Sequence, residues 1–310
     1  FNYRTLRYDN RMALLDEFSI AVRREKQTVR QIQDILVRMV AEFDRVCRKY
    51  GLHYYAICGT LIGALRHQDM IPWDDDLDVA MPRADFEKLR EVAGQEWAGS
   101  AYELLLSDAY GGGAFLDFMP RVIDKNSRQP VKVFDKVLGK ATADIRDRVF
   151  LDIYIMDNAS DREEEHVRTV GLMKKVYGLC MGHRAYVDFK EYERKNTQAF
   201  IRQLKIAVKI GKMIPAGYLI RLYDWLSRRY EHEQTEDYFM PSCAVTCIER
   251  RFPKKLFGEG KRVPFRDVEI MIPDDADGLM EAMGYHGYMT PVPEHLRRPS
   301  HYFNSDIVIW

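Results

Sequence analysis

The stretch 57-ICGTLIGALRHQDMIPWDDDLDVAMPR-83 decides how this chain is read. Its second half crowds four acidic residues into five positions, 74-DDDLD-78, among residues of core character. On an extended strand, side chains two apart share a face. Reading 76-DLDVAM-81 as a strand therefore puts Asp74, Asp76 and Asp78 on one side, with Leu77, Val79 and Met81 on the other, in the core. Crowded carboxylates repel unless a cation neutralises them, and an oxygen-only cluster suits a hard cation such as Mg²⁺ or Mn²⁺. A solvated acidic turn is the usual fate of a charge run. Here the alternation with Leu, Val and Met favours a buried edge and a metal site at Asp74, Asp76 and Asp78.

Upstream, 53-HYYAIC-58 is short, aromatic and β-branched and reads as a strand. Gly59 breaks it, and 60-TLIGALRH-67 reads as a short helix with Thr60 as its N-cap. Glycine lets backbone approach a ligand closely, and a helix N-terminus offers free N–H groups to an anion. Alone, Gly59-Thr60 is a plain turn; followed by an Asp-x-Asp strand, it becomes a phosphate-plus-metal arrangement. Arg66 and His67 close the same helix, where they are either surface cations at a C-terminus or charges that reach phosphate oxygens.

The remaining chain supplies a scaffold around this unit. Ile32, Ile35, Leu36, Met39, Val40, Phe43, Val46 and Cys47 follow helical spacing within 27–50, and Gly51 supplies a stop. A helix follows at 82-PRADFEKLREVA-93, and 114-AFLDFMPRVID-124 and 148-RVFLDIYIMD-157 read as strands with embedded aspartates. The turn 110-YGGG-113 precedes them. Residues 160–233 show helical spacing without a strand signal. A strand pair around Arg266-Asp267 and a helix at 275–283 follow. The expected division is a catalytic core over 1–159, a helical segment over 160–240, and a C-terminal part, 241–310, that completes the core. There is no internal repeat.

Composition sets the outer limits. With 310 residues, 46% of them hydrophobic, and 47 basic against 47 acidic side chains, the chain reads as a globular protein with no global charge for a nucleic-acid partner. No apolar run reaches the roughly 18 residues that span a bilayer. The sequence begins at Phe1, which leaves room for a missing leader. Five scattered cysteines fit reduced thiols in a cytosol, and Cys243 and Cys247 lack the second ligand pair that structural zinc requires. The stretch 204-LKIAVKIGKMIPAGYLIRLYDWLSRR-229 interleaves Lys and Arg with apolar residues. It reads either as helices packed on the main domain or as an interfacial pair on an anionic membrane.

The run 59-GTLIGALRHQDMIPWDDDLDVAMPRADFEKL-89 resembles the signature of the LicD family of phosphocholine-type transferases, which includes the fukutin-related proteins. The resemblance continues in 150-FLDIYIMD-157 and in 263-VPFRDVEIMIPDDADGLMEAMGYHGYMTPVP-293. It implies an α+β fold of the nucleotidyltransferase type related to polymerase β, a mixed sheet flanked by helices, with the helical segment as an insertion. It also implies that Gly59, Thr60, Asp76 and Asp78 hold metal and a diphosphate, and that a later strand adds a third carboxylate.

That carboxylate maps to Asp152, a charge inside an apolar strand that is costly to bury unless paired or metal-bound. Asp117 is its rival, and Asp157 reads as a cap or turn residue. Asp74, Asp76, Asp78 and Asp152 are thus the expected metal ligands, and Asp76, Asp78 and Asp152 the catalytic group. Gly59, Thr60, Arg66 and Arg121 are the expected donor-binding residues; Arg121 reads equally well as a cross-strand surface arginine. The implied reaction moves a phospho-alcohol, phosphocholine first, from a CDP-linked donor to a hydroxyl of a cell-surface or lipid-linked glycan. A cytoplasmic place, peripheral at the inner face of a membrane, goes with it. A non-catalytic nucleotide- or glycan-binding relative and a nucleotidyltransferase are the alternatives. Tyr110, Phe115, Phe118, Tyr285 and Tyr288 are either a cage for a trimethylammonium group or ordinary core.

Overall fold

Apolar residues at three-and-four spacing from Ile32 to Cys47 build the first helix, α1 (29–50), and the whole stripe is buried. Gly51, at a φ of 65°, ends it. The computed structural model describes residues 29–106, 115, 117–128, 148–184, 187, 189–243, 248–299 and 308–309.

The strand β1 is only Tyr55–Ala56, and α2 (Cys58–His67) starts two residues earlier than predicted. Cys58 takes a left-handed φ of 50°, which swings the chain straight from strand into helix. Thr60 is therefore not the N-cap, a position held by Ile57. It is buried in the first turn, where its hydroxyl accepts a 2.8 Å hydrogen bond from the Asp78 N–H. The next strand, β2, is Leu77–Pro82, so Asp74 and Asp76 precede it instead of lying on it. The reason is local: the Asp74 N–H reaches back to the Ile71 carbonyl at 2.9 Å, a β-turn with Pro72 in its favoured second position.

After α3 (Arg83–Glu96) come β3 (Tyr102–Leu105), β4 (Arg121–Asp124), β5 (Ser127–Arg128) and β6 (Phe150–Asn158). Among the described residues of the predicted strand 114–124, only the last four pair as β4; Pro120 just before them has no N–H to donate. The sheet runs β1-β2-β6-β4-β3. Its one parallel pair among the described strands is β2 with β6, in a register that sets Asp78 opposite Asp152.

The helical segment holds α4 (Glu163–Cys180), α5 (Phe189–Lys195), α6 (Gln198–Gly211) and α7 (Ala216–Ser227). Two short strands, β7 (Asp237–Phe239) and β8 (Phe252–Pro253), then extend the sheet from the far end of β6. The expected strand pair is the hairpin β9 (Lys261–Phe265) and β10 (Val268–Ile272), turning at Arg266 with a φ of 55°. Helix α8 (Ala276–Met283) starts at Asp275, whose side chain caps Gly278 N–H, and stops at Gly284. The last pair, β11 (Val308–Ile309), lies against β5.

One buried cluster joins α1, α2, the sheet, β10 and α8; a second holds the helical segment with Phe115, Phe118 and Phe239. Asp157, expected as a cap, is instead a fully buried ion-pair partner, receiving Arg83 Nε at 2.8 Å and Nη2 at 2.5 Å. Among the described residues no helix is long and apolar enough to cross a membrane.

Candidate active site

The loop 69–76 is clamped from two sides. Gln33, a polar residue within the buried stripe of α1, donates through Nε2 to the Ile71 and Asp74 carbonyls, each at 2.9 Å. On the other side α2 offers no side chain where the loop presses closest. A Cβ at Gly63 would lie 2.5 Å from the Asp69 carbonyl oxygen, and one at Gly59 only 2.4 Å from Asp74 Oδ2. The two glycines of 59-GTLIG-63 are thus the two places where loop and helix meet backbone to backbone or backbone to carboxylate.

This clamp gathers Asp74, Asp75 and Asp76, with one oxygen of each within 4.8 Å of the others. Asp75, not among the expected ligands, is completely buried and belongs to the group. Burial, then the charge and hydrogen bond of Asp76 and the charge of Asp75, push the Asp74 carboxyl well above the usual carboxylate range. A group of oxygen donors held this close suits a hard divalent cation, which would relieve the repulsion.

Asp78 starts a second row. It is buried on β2 beside Asp152 of β6, which in turn faces Arg121 of β4, so the three share one face of the sheet. Arg121 Nε pairs with Asp152 Oδ1 at 2.7 Å, and its Nη1 reaches both oxygens of Asp117 at 2.9 and 3.1 Å. The sequence rivals Asp117 and Asp152 therefore hold the same guanidinium. Tyr154, two residues along the same face, has its hydroxyl pK pushed up by burial and by the charges of Asp78, Cys58, Cys243 and Asp152.

Other expected residues lie apart. Arg66 closes α2 seven residues beyond Gly59, about 10 Å along the axis. There its Nη1 donates to the Tyr288 carbonyl at 2.5 Å and its Nε to His67 Nε2 at 2.9 Å. Burial and Arg297 hold the Arg66 pK below its ordinary value, while Arg297 lies 5.1 Å over the Trp73 ring. Phe115 and Phe118 are core: Phe118 stacks on Tyr223 at 3.6 Å, and both pack against Tyr177. They form no cage. Tyr288 gives its hydroxyl to Asp277, and Tyr285 is partly exposed. Tyr110 and Cys247 lie outside the described residues, as does the turn at 110–113.

A family model falls on the same segment. Residues 51–115 match the family model described as LicD/FKTN/FKRP, nucleotidyltransferase domain. Over 72 residues the chain is 40% identical to the lipopolysaccharide cholinephosphotransferase LicD of Haemophilus influenzae, 23% of this chain and 27% of that one. Over 60 residues it is 35% identical to an uncharacterized protein of Rickettsia prowazekii and 33% identical to one of Rickettsia typhi, covering 23% and 19% of them. The matches to these relatives thus span about a quarter of their length, shorter than the resemblance drawn from the sequence, and the family-model match contains α2, the clamped loop and β2. Residues 51–115 of this chain are thus similar to the nucleotidyltransferase domain of the LicD family.

Proposed function

We propose that the protein transfers a phospho-alcohol group, phosphocholine first, from a cytidine-diphosphate donor to a glycan hydroxyl. The observation that carries this is the packing of Asp74, Asp75 and Asp76 against the glycine-lined start of α2, inside the segment that matches the family. Choline is favoured over ribitol or glycerol because a relative 40% identical over 72 residues is named a cholinephosphotransferase. The lipopolysaccharide in the same name supports a glycan acceptor. A sheet of the polymerase β nucleotidyltransferase type, a cytoplasmic place and the donor's cytidine belong to this proposal as well.

Asp74, Asp76, Asp78 and Asp152 would hold a divalent cation, with Asp75 beside them. When bound, Mg²⁺ or Mn²⁺ supplies a Lewis acid that polarises a phosphoryl oxygen and neutralises charge on the departing CMP. The chain's own groups do the rest. The N–H groups at the start of α2, with no side chain at Gly59, face the donor diphosphate. Arg121 orients Asp152, whose carboxylate would accept the proton of the glycan hydroxyl as its oxygen bonds to the phosphocholine phosphorus. The bond from that phosphorus to the CMP oxygen breaks, and CMP leaves with the electron pair.

The test is release of CMP from CDP-choline, CDP-ribitol and CDP-glycerol with Mg²⁺, with Mn²⁺ and with chelator. Cation-dependent release from CDP-choline, faster than from either polyol donor, is the expected result. A preferred polyol donor changes the alcohol alone, and no release from any donor with a glycan acceptor present refutes the transferase.

A further inference from the structure

The helical segment presents an apolar face that neither core cluster uses. One side of α6 is locked: a Cβ at Gly211 would fall 1.9 Å from the Leu179 carbonyl oxygen, and one at Gly182 2.5 Å from that of Val208. So α6 lies in backbone contact with the end of α4, burying Ile201, Leu204 and Val208. That fixes what faces out. Ile206, Ile210 and Met213, spaced four and three apart, are 54%, 46% and 82% exposed. Helix α7 packs on the same α4, buries Leu219, Tyr223 and Leu226, and leaves Tyr218 and Trp225 at 55% and 61%. Single exposed apolar residues are ordinary, but a row of this kind with a tyrosine and a tryptophan on the adjoining helix marks an interaction surface.

Charge selects the partner. The chain as a whole is neutral, yet 198–229 carries seven Lys and Arg against the single Asp224. Arg228 is taken up by Glu87 and Asp224. Arg202, Lys205, Lys209 and Lys212 are exposed beside the apolar row, on a helix with no acidic residue; Lys205 meets Glu193 at 3.0 Å. Two copies of such a face repel each other. Apolar side chains flanked by cations match an anionic bilayer surface, where exposed tyrosine and tryptophan rings such as those of α7 sit at headgroup level.

We infer that α6 and α7 form the surface by which this protein lies on an anionic lipid bilayer, with Ile206, Ile210, Met213 and Trp225 entering the boundary of headgroups and acyl chains. Arg202, Lys205, Lys209 and Lys212 face the lipid phosphates. This surface is separate from the acidic centre and holds whatever that centre catalyses; it would bring the centre to membrane-borne acceptors.

The test is flotation of the full chain with phosphatidylcholine vesicles, plain or containing about 30% phosphatidylglycerol, at low and high salt. The wild type floats with the anionic vesicles, floats less at high salt, and stays behind with the plain ones. Its tryptophan emission shifts to the blue on anionic vesicles, and Trp225→Phe removes most of that shift. Ile206→Glu with Ile210→Glu, both at exposed positions and melting like the wild type, weakens binding at least tenfold. Lys209→Gln and Lys212→Gln weaken it about fivefold each, from about 1 kcal/mol per cation at the surface. Equal flotation with both vesicle types, or wild-type flotation of the double glutamate variant, overturns the inference. So does a dimer in light scattering that the double variant dissolves, since a second copy then covers this face.

Discussion

Replacing Gly59 by alanine separates catalysis from stability. The added methyl would lie 2.4 Å from Asp74 Oδ2, where ordinary contact begins near 3.4 Å, so the carboxylate must retreat by about 1 Å. Asp74 cannot retreat freely, because its own carbonyl is held by Gln33 and its N–H by Ile71. A displacement of about 1 Å in a catalytic group lowers the rate by about 10²-fold. Stability should fall by no more than about 2 kcal/mol: alanine gains about 1 kcal/mol over glycine in a helix, against about 1–3 kcal/mol of overpacking. Gly94→Ala is the control. It lies exposed in α3 with nothing within 4 Å of its Cβ, so it should stabilise by about 0.5–1 kcal/mol and leave the rate alone. The assay pairs CMP release from CDP-choline with urea unfolding of both variants and calorimetric Mn²⁺ titration. Wild-type turnover and cation affinity in a stably folded Gly59→Ala protein would refute the placement of Asp74 in the working site.

Four further outcomes are expected. Gln33→Leu leaves the Ile71 and Asp74 carbonyls without their buried donor and lowers unfolding stability by about 1–3 kcal/mol, with a fall in rate; wild-type stability would mean the clamp is dispensable. Arg83→Met strands the buried Asp157 carboxylate and costs about 3–5 kcal/mol in denaturant titrations, most of it recovered by adding Asp157→Leu; a loss below about 1 kcal/mol contradicts this. Because burial and its neighbours raise the Asp74 pK, the folded protein keeps a proton the unfolded chain has lost. That stabilisation is full below the unfolded carboxylate value of about 4 and fades as pH rises through the raised one. In chelator, Asp76→Asn should flatten this slope and raise the melting temperature at neutral pH, by about 2–4 °C per kcal/mol relieved; a slope of opposite sign refutes it. Finally, Asp152→Asn should slow transfer by about 10²-fold or more, while Asp117→Asn, which leaves Arg121 on Asp152, slows it less than about tenfold. If only the Asp117 change is severe, the base was assigned to the wrong carboxylate.

Much of the local structure around the candidate site was legible because local rules govern it. Helical spacing gave α1, the Gly-Thr break gave the strand-to-helix turn, and an aspartate between Leu151 and Ile153 gave Asp152. Misreadings came where a turn or a distant element intervened. Strand alternation left Asp75 out of the expected set because Pro72 delays the strand to Leu77. Gln33 was visible as a polar residue in an apolar stripe, but its acceptors are 38 and 41 residues away. Asp157 looked like a cap because its partner Arg83 comes from another element. The strands β7 and β8 have three and two residues, too few for any period to register. The aromatics at 115 and 118 were read beside the site, whereas packing against Tyr177 and Tyr223 draws them into the helical core.

Asp78 and Asp152 stand side by side across a parallel strand pair, and this has a consequence for how the protein comes into being. Parallel neighbours cannot be joined by a tight turn, and here the chain passes through α3, β3 and β4 before it returns. A ribosome working from the N-terminus therefore releases the acidic loop long before the strand that completes its surroundings. The hairpin whose Arg266 ties Asp34 to Asp69 emerges later still. Pairings so distant in sequence close slowly and only together. Nascent chains halted before Asn158 would thus carry the acidic loop and yet be silent, and catalytic competence would arrive as a late event of biosynthesis.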